Sequence, residues 1–266
     1  MPIVTSADGT EIGYERAGSG PALVLVDGAM CHRAAGPMRP LAARLREHFT
    51  VYAYDRRGRG ESGDTKPSAP EREAEDLDAV IDAAGGKVSL YAISSGVPLS
   101  LLAANSVAQG KISKMVLYEA PLILDTSRAI DPDYPRKMNE IIARGDNAGA
   151  VKHFMKNGVG VPGFAIFMMQ IMGMMRKLAP VGPTLAYDTA LIEPFWRNKP
   201  LPKGIWSNVK MPVLDIGGGK SDPWMQNAQV EISKALPNAT HKTLAGQNHM
   251  VSPDAIAPMI REFLAA

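Results

Sequence analysis

A single cysteine, Cys31, among 266 residues excludes an internal disulfide framework. It fits a reducing compartment, so a cytoplasmic location is expected, with Cys31 read as a small buried or half-buried side chain. Charge of one sign is missing too. Lys and Arg number 29 against 27 Asp and Glu, for a net charge of +2. No dense Lys/Arg block could track phosphates, and no nucleic-acid partner is expected. No run reaches the about 18 uninterrupted apolar residues of a spanning helix. The most apolar stretch, GVPGFAIFMMQIMGMM, is broken by Gly, Pro and Gln, and no membrane partner is expected. The start, MPIVTSADGTEIGYE, has no cationic segment ahead of an apolar core, so no secretory signal is expected. Long repeats and low-complexity tracts are absent. No His, Cys and carboxylate cluster has ligand spacing, so neither metal nor cofactor is expected.

What is present is alternation. Eight runs read as strands: Pro2 to Thr5, Glu11 to Arg16, Ala22 to Val26, Phe49 to Tyr54, Val88 to Ile93, Lys114 to Tyr118, Val213 to Ile216 and His241 to Leu244. The first two flank Ala7-Asp8-Gly9 and predict a hairpin. Helical spacing marks Pro37 to Glu47, Glu71 to Ala84, Val97 to Ala108, Asn227 to Leu236 and Asp254 to Leu264. Apolar strands alternating with helices predict an α/β fold, a mostly parallel eight-stranded sheet with helices on both faces. Ligands bind beyond the carboxyl ends of such strands. Asp27-Gly28, Asp55, Ser94, Glu119 and the glycines before Asp222 all fall at such ends. Residues 122–208 break the alternation with helical patches, methionines and prolines. They are expected to form a helical cap on a core of 1–121 and 209–266.

The stretch VSLYAISSGVPLS runs from strand to helix without a loop. Such a junction forces a tight, strained turn at Ser94, and the small residues Ala92 and Gly96 flank it two positions either side. The arrangement matches G-x-S-x-G in geometry, with Ala in place of the first Gly. The helix that follows aims its N-terminal N–H groups at the turn, and the Ser95 N–H is expected to hold an oxyanion there.

With these motifs the chain resembles the α/β-hydrolase superfamily, in its branch of serine esterases, C–C hydrolases and cofactor-free haloperoxidases. Four ordered segments carry the resemblance: DGAM, DRRGRGES, AISSG, and a late Asp followed by His. It implies an α/β-hydrolase fold and a nucleophilic Ser94. A serine needs a base, and the resemblance places it at His249, in the late loop AGQNHMVSPD. The acid that fixes the imidazole is expected at Asp222 in GGGKSDPWM, since the order Ser, Asp, His fits. Glu119 in LYEAP is the alternative acid, because relatives can take it from the end of the sixth strand. The second oxyanion donor is expected at the Ala29 N–H. Asp27 stands where the family usually has His, and Arg33, Arg56 or Arg57 is expected to neutralise it. Asp55 and its loop are expected to be structural. His48 and His241 are read as surface or structural, His153 as facing water or substrate, and His32 as a loop residue near the site.

Methionine is abundant, at 15 residues, and flexible thioethers suit an adaptable apolar pocket. Met30, Met168 and Met172 are expected to line it. The expected activity is that of a cofactor-free serine hydrolase on a small or medium hydrophobic ester, lactone or related acyl compound. A C–C hydrolase, lyase or perhydrolase with the same triad is an alternative within enzymes. A ligand-binding protein on a hydrolase scaffold is an alternative outside them. A serine at the elbow argues against the dehalogenases and epoxide hydrolases of this fold, which use a carboxylate.

Overall fold

A computed structural model describes residues 2–266. Its strands are β1 (Ile3–Thr5), β2 (Glu11–Ala17), β3 (Ala22–Val26), β4 (Thr50–Tyr54), β5 (Val88–Ile93), β6 (Ile112–Tyr118), β7 (Val213–Gly218) and β8 (Ala239–Leu244). They form one sheet in the order β1-β2-β4-β3-β5-β6-β7-β8. The β1–β2 and β2–β4 pairs are antiparallel, and every pair from β3–β4 onward is parallel. The predicted eight-stranded α/β-hydrolase architecture is therefore the observed one.

Alternate residues of each strand feed two cores. Val24, Val26, Leu90 and Ala92 face α2 (Pro70–Ala83), α3 (Gly96–Asn105) and α9 (Pro223–Ala235). Leu23, Leu25, Tyr91 and Ile93 face α1 (Met38–Leu45) and α10 (Pro253–Ala265). The α2, α9 and α10 helices each begin with proline, whose fixed φ and missing N–H suit a first turn. This puts the starts of α9 and α10 ahead of the apolar periodicity that predicted them.

Between β6 and β7 the chain is helical: α4 (Tyr134–Ala143), α5 (Asn147–His153), a π turn at Phe154–Val159, α6 (Gly163–Ile171), α7 (Met174–Leu178) and α8 (Leu185–Ile192). This insertion has a small core of its own, built on Tyr134, Met138, Val151, Ile166, Met175 and Leu185, against which Ala29 and Met30 also pack. Leu191, Ile192, Trp206 and Val209 join the main core instead, so the insertion is anchored by its last helix and its return segment.

Candidate active site

Ser94 sits in the left-handed region at φ 57, between the end of β5 and the start of α3. Residues other than glycine reach that region at a cost, and the surrounding packing holds it in place. A Cβ on Gly96 would lie 2.6 Å from Val26 O, and one on Gly28 would lie 2.7 Å from Ser94 Cβ. Strand β5, the loop after β3 and helix α3 can converge on Ser94 only because both positions lack a side chain.

His249 Nε2 lies 3.2 Å from Ser94 Oγ, and His249 Nδ1 lies 3.0 Å from Glu119 Oε2. The acid beside His249 is thus the alternative, Glu119, and the expectation of Asp222 is corrected. Three features account for this. Glu119 follows β6 with φ 48, which turns it towards the histidine loop. The β7 strand continues through Gly218, whose N–H donates to Glu119 Oε1 at 2.6 Å. A Cβ on Gly218 would stand 2.8 Å from that same oxygen, so glycine leaves room for the carboxylate. Asp222 instead precedes α9 and accepts a hydrogen bond from the Trp224 indole at 3.3 Å. Glu119 is fully buried, and Tyr118 OH donates to Asn248 O at 2.7 Å to hold the histidine loop.

Outside the helix and strand ladders, neither the Ala29 nor the Ser95 N–H donates to a backbone acceptor among the described residues. Asp27 Oδ1 takes the intervening Gly28 N–H at 2.9 Å. Burial pushes the Asp27 carboxyl up to about 7, against the Gly28 N–H and the charges of Arg59 and Arg56. The expected neutralisation by a nearby arginine takes another form. Arg33 pairs with Asp55 and Glu61, Arg57 with Asp8 and Asp76, and Arg56 with Glu73 and Asp188. Arg56 reaches Asp27 only at its carbonyl, 3.4 Å away. Desolvation, which favours the neutral acid, is what limits negative charge beside the site.

Beneath the elbow lies a group that the sequence reading missed. Asp188 of α8 is fully buried. It accepts from Ser95 Oγ at 2.7 Å, Arg56 Nη1 at 2.8 Å and Arg59 Nη2 at 2.6 Å. Arg59 Nη1 in turn donates to Gly28 O at 2.7 Å. The sequence signal was a lone acid in the apolar segment LAYDTALI, opposite a loop with three arginines. Asp55 behaves as the structural residue expected, accepting from the Arg33 and Glu61 N–H groups at 2.7 and 2.9 Å.

The other predicted residues divide. Met30 takes φ 64 beside the oxyanion loop and packs on the insertion's core. Met168 and Met172 do not line an enclosed pocket, because they are 38% and 66% exposed on the outer side of the insertion. Met155, Met169 and Phe154 are among the side chains that join Ala29 and Met30 around the insertion's core. His153 is internal to the insertion, its ring stacked 4.7 Å from that of Tyr134. Its pKa is lowered by burial and by Lys137. His241 pairs with buried Asp215 at 3.0 Å, and His48 accepts from exposed Arg261 at 3.3 Å, so both are structural.

Comparisons to known proteins agree with the fold. The model of the alpha/beta hydrolase family matches residues 23–259. An alpha/beta hydrolase from Sphaerobacter thermophilus is 45% identical, with 99% of this chain and 100% of that one covered and a TM-score of 0.89. A thermophilic esterase from Thermogutta terrifontis shares the fold at 19% identity, covering 99% and 97% of the two chains, with a TM-score of 0.71. The enol-lactonase from Burkholderia xenovorans does so at 20% identity over 100% of both chains, with a TM-score of 0.68. With a family model that spans most of its length and a relative 45% identical over nearly the whole of it, the chain belongs to the alpha/beta hydrolase family.

Proposed function

We propose that this chain is a serine hydrolase acting on small-to-medium hydrophobic esters, lactones or related acyl compounds, with residues 122–208 as its cap. The observation that carries the reading is the relay from Ser94 Oγ through His249 to Glu119, at 3.2 and 3.0 Å. In this role the His249 Nδ1–H donates to Glu119, which leaves Nε2 free to accept the Ser94 proton. Ser94 Oγ attacks the carbonyl carbon, and its proton passes to Nε2. The Ala29 and Ser95 N–H groups hold the oxyanion. His249 then protonates the leaving oxygen, and the acyl group stays on Ser94. Water, deprotonated by His249, attacks the acyl carbon; as the bond to Ser94 Oγ breaks, His249 returns the proton to that oxygen and the acid is released.

Support for an apolar substrate comes from Met30 and from the half-buried Phe154, Met155 and Met169 of the adjoining cluster. Esterase and enol-lactonase structures of the same fold are consistent with acyl chemistry. The single free cysteine fits a reducing cytoplasm.

The test is peptide mass spectrometry after incubation with a fluorophosphonate, on wild type, Ser94→Ala and His249→Ala. One adduct on Ser94, slowed in His249→Ala, is expected. A panel of neutral apolar esters and lactones then ranks substrates against charged analogues. A folded protein that takes no adduct and binds panel members without turnover would overturn the reading in favour of a binding protein.

A further inference from the structure

Apolar residues of α6 recur at Phe164, Phe167, Met168, Ile171 and Met172, which is the i, i+3, i+4, i+7, i+8 stripe of a helix that buries one face. This stripe faces out. Its members are 75%, 54%, 38%, 64% and 66% exposed, while Ile166 on the other side is 2% exposed. A contiguous apolar face of this kind marks an interaction surface.

The charges around it are one-sided. From Asn147 to Tyr187 the chain holds no Asp or Glu, but it holds Lys152, Lys156, Arg176 and Lys177, all exposed. The π turn and α7, which carry three of these four cations, both pack against α6. Elsewhere in the insertion Arg136 and Lys137 pair with Asp133, Glu140 and Asp131, whereas the exposed Arg144, Arg197, Lys199 and Lys203, like the cations around α6, enter no ion pair among the described residues. The four cations around α6 enter no ion pair among the described residues.

We propose that this face of the insertion docks on an anionic lipid–water interface, with α6 lying in the plane of the headgroups. Such a surface supplies both things the face lacks, an apolar phase for the stripe and negative charge for its rim. A second copy of the chain would meet the stripe but would set the same four cations against each other. The association is peripheral. At nine residues, α6 spans roughly 14 Å, against the ~30 Å of a hydrocarbon core. The helical run after it is bent away by 87°. That run holds Asp188, buried against Arg56, Arg59 and Ser95, so it cannot enter lipid without dismantling the protein interior. Absence of a spanning segment underlay the expectation of no membrane partner, and a surface-lying helix needs none. The proposal stands apart from the hydrolase reading.

The test is co-sedimentation of the full chain with vesicles of phosphatidylcholine alone, or mixed with phosphatidylglycerol. Wild type is expected to bind the mixed vesicles about tenfold more tightly than the neutral ones, and less tightly as salt is raised. The variant carrying Phe164→Ser, Phe167→Ser and Ile171→Ser is expected to lose binding to both. Arg176→Gln with Lys177→Gln is expected to lose most of the preference for phosphatidylglycerol. Thermal melts and far-UV circular dichroism at wild-type levels show that each variant is folded. Failure of wild type to bind mixed vesicles overturns the proposal, as does unchanged binding by the triple serine variant. Sedimentation velocity gives the remaining outcome: a dimer that the serine variant dissociates, without vesicle binding, would make the face a contact between copies and overturn the lipid assignment.

Discussion

Asp188 in α8 accepts the Ser95 hydroxyl at 2.7 Å, and through Arg59 the same carboxylate is linked to Gly28 O. One buried side chain of the insertion is thereby tied to both backbone segments that flank the Ser94 hydroxyl. Asp188→Asn keeps the volume and removes the charge that offsets Arg56 and Arg59. Breaking a buried pair in this way costs about 3–5 kcal/mol, so a lower Tm is expected. If the tether also aligns the Ala29 and Ser95 N–H groups, kcat for an activated ester falls by about 10–100-fold while KM changes little. Ser95→Ala keeps the N–H but removes the hydroxyl that Asp188 holds. The double variant should then lose less than the product of the two single losses, because both cut one connection. Simple loss of fold would not produce that non-additivity at temperatures well below each Tm.

The choice between the two carboxylates is open to direct measurement. Glu119→Gln keeps the shape beside His249 but cannot stabilise an imidazolium. A drop of about 10²–10⁴-fold in kcat is expected, by analogy with removing the triad acid elsewhere. Asp222→Asn touches only the Trp224 indole at 3.3 Å and is expected to stay within about threefold of wild type. Steady-state kinetics on both variants with one ester decides it, and the reverse ranking would restore Asp222.

These outcomes bear on what the sequence could disclose. Strand ends and the tight turn at Ser94 were legible, because each rests on local pattern: an apolar run and two small flanking residues. The position of His249, now seen 3.2 Å from Ser94 Oγ, came from the family resemblance and not from pattern. The acid was not legible, since Glu119 and Asp222 both follow strands in acceptable order. The decision lay in how far β7 runs and in the space at Gly218, which are properties of packing. Asp188 was hidden for a related reason. Its partners Arg56, Arg59 and Ser95 are distant in sequence, and only the closing of α8 over the elbow brings them together. The methionines misled through orientation. Helical spacing shows that Met168 and Met172 share a face with Phe164, but it does not show that the face is turned outward.

Adjacent glycines offer a sharp contrast in tolerance. A Cβ on Gly218 would come within 2.7 Å of Gln247 O, 2.8 Å of Glu119 Oε1 and 2.9 Å of Asn248 Cα. Gly218→Ala must therefore displace the acid, the histidine loop or both. A loss of about 1–3 kcal/mol in stability is expected, together with a fall in kcat. On Gly217 the nearest atoms would be 3.6 Å away, an ordinary contact. Gly217→Ala is expected to leave melting temperature and kcat near wild type. Equal damage from both would show that strand flexibility, rather than space beside Glu119, is what the glycines provide.

Asp27 sets a pH dependence whose sign can be worked out. Its carboxyl rises from 3.8 to about 7 on folding, chiefly through burial. Between those values the folded protein binds the extra proton. Stability from this group is therefore full only below about pH 3.8 and is lost progressively as pH climbs from there through the folded value of about 7, by roughly 4 kcal/mol at most. Asp27→Asn cannot ionise and still accepts the Gly28 N–H through its amide oxygen. It should melt at nearly the wild-type temperature near pH 3.5, already somewhat above it at pH 5, and clearly above it at pH 8. The same substitution removes the negative charge that ionised Asp27 places beside the developing oxyanion. Activity of the wild type should sag on the alkaline side relative to the variant, in parallel with the stability difference. Melts of both proteins across pH 3.5–9 and kcat profiles across pH 5–9 check this. Parallel curves for the two proteins would mean that Asp27 does not change its charge in the range where the enzyme works.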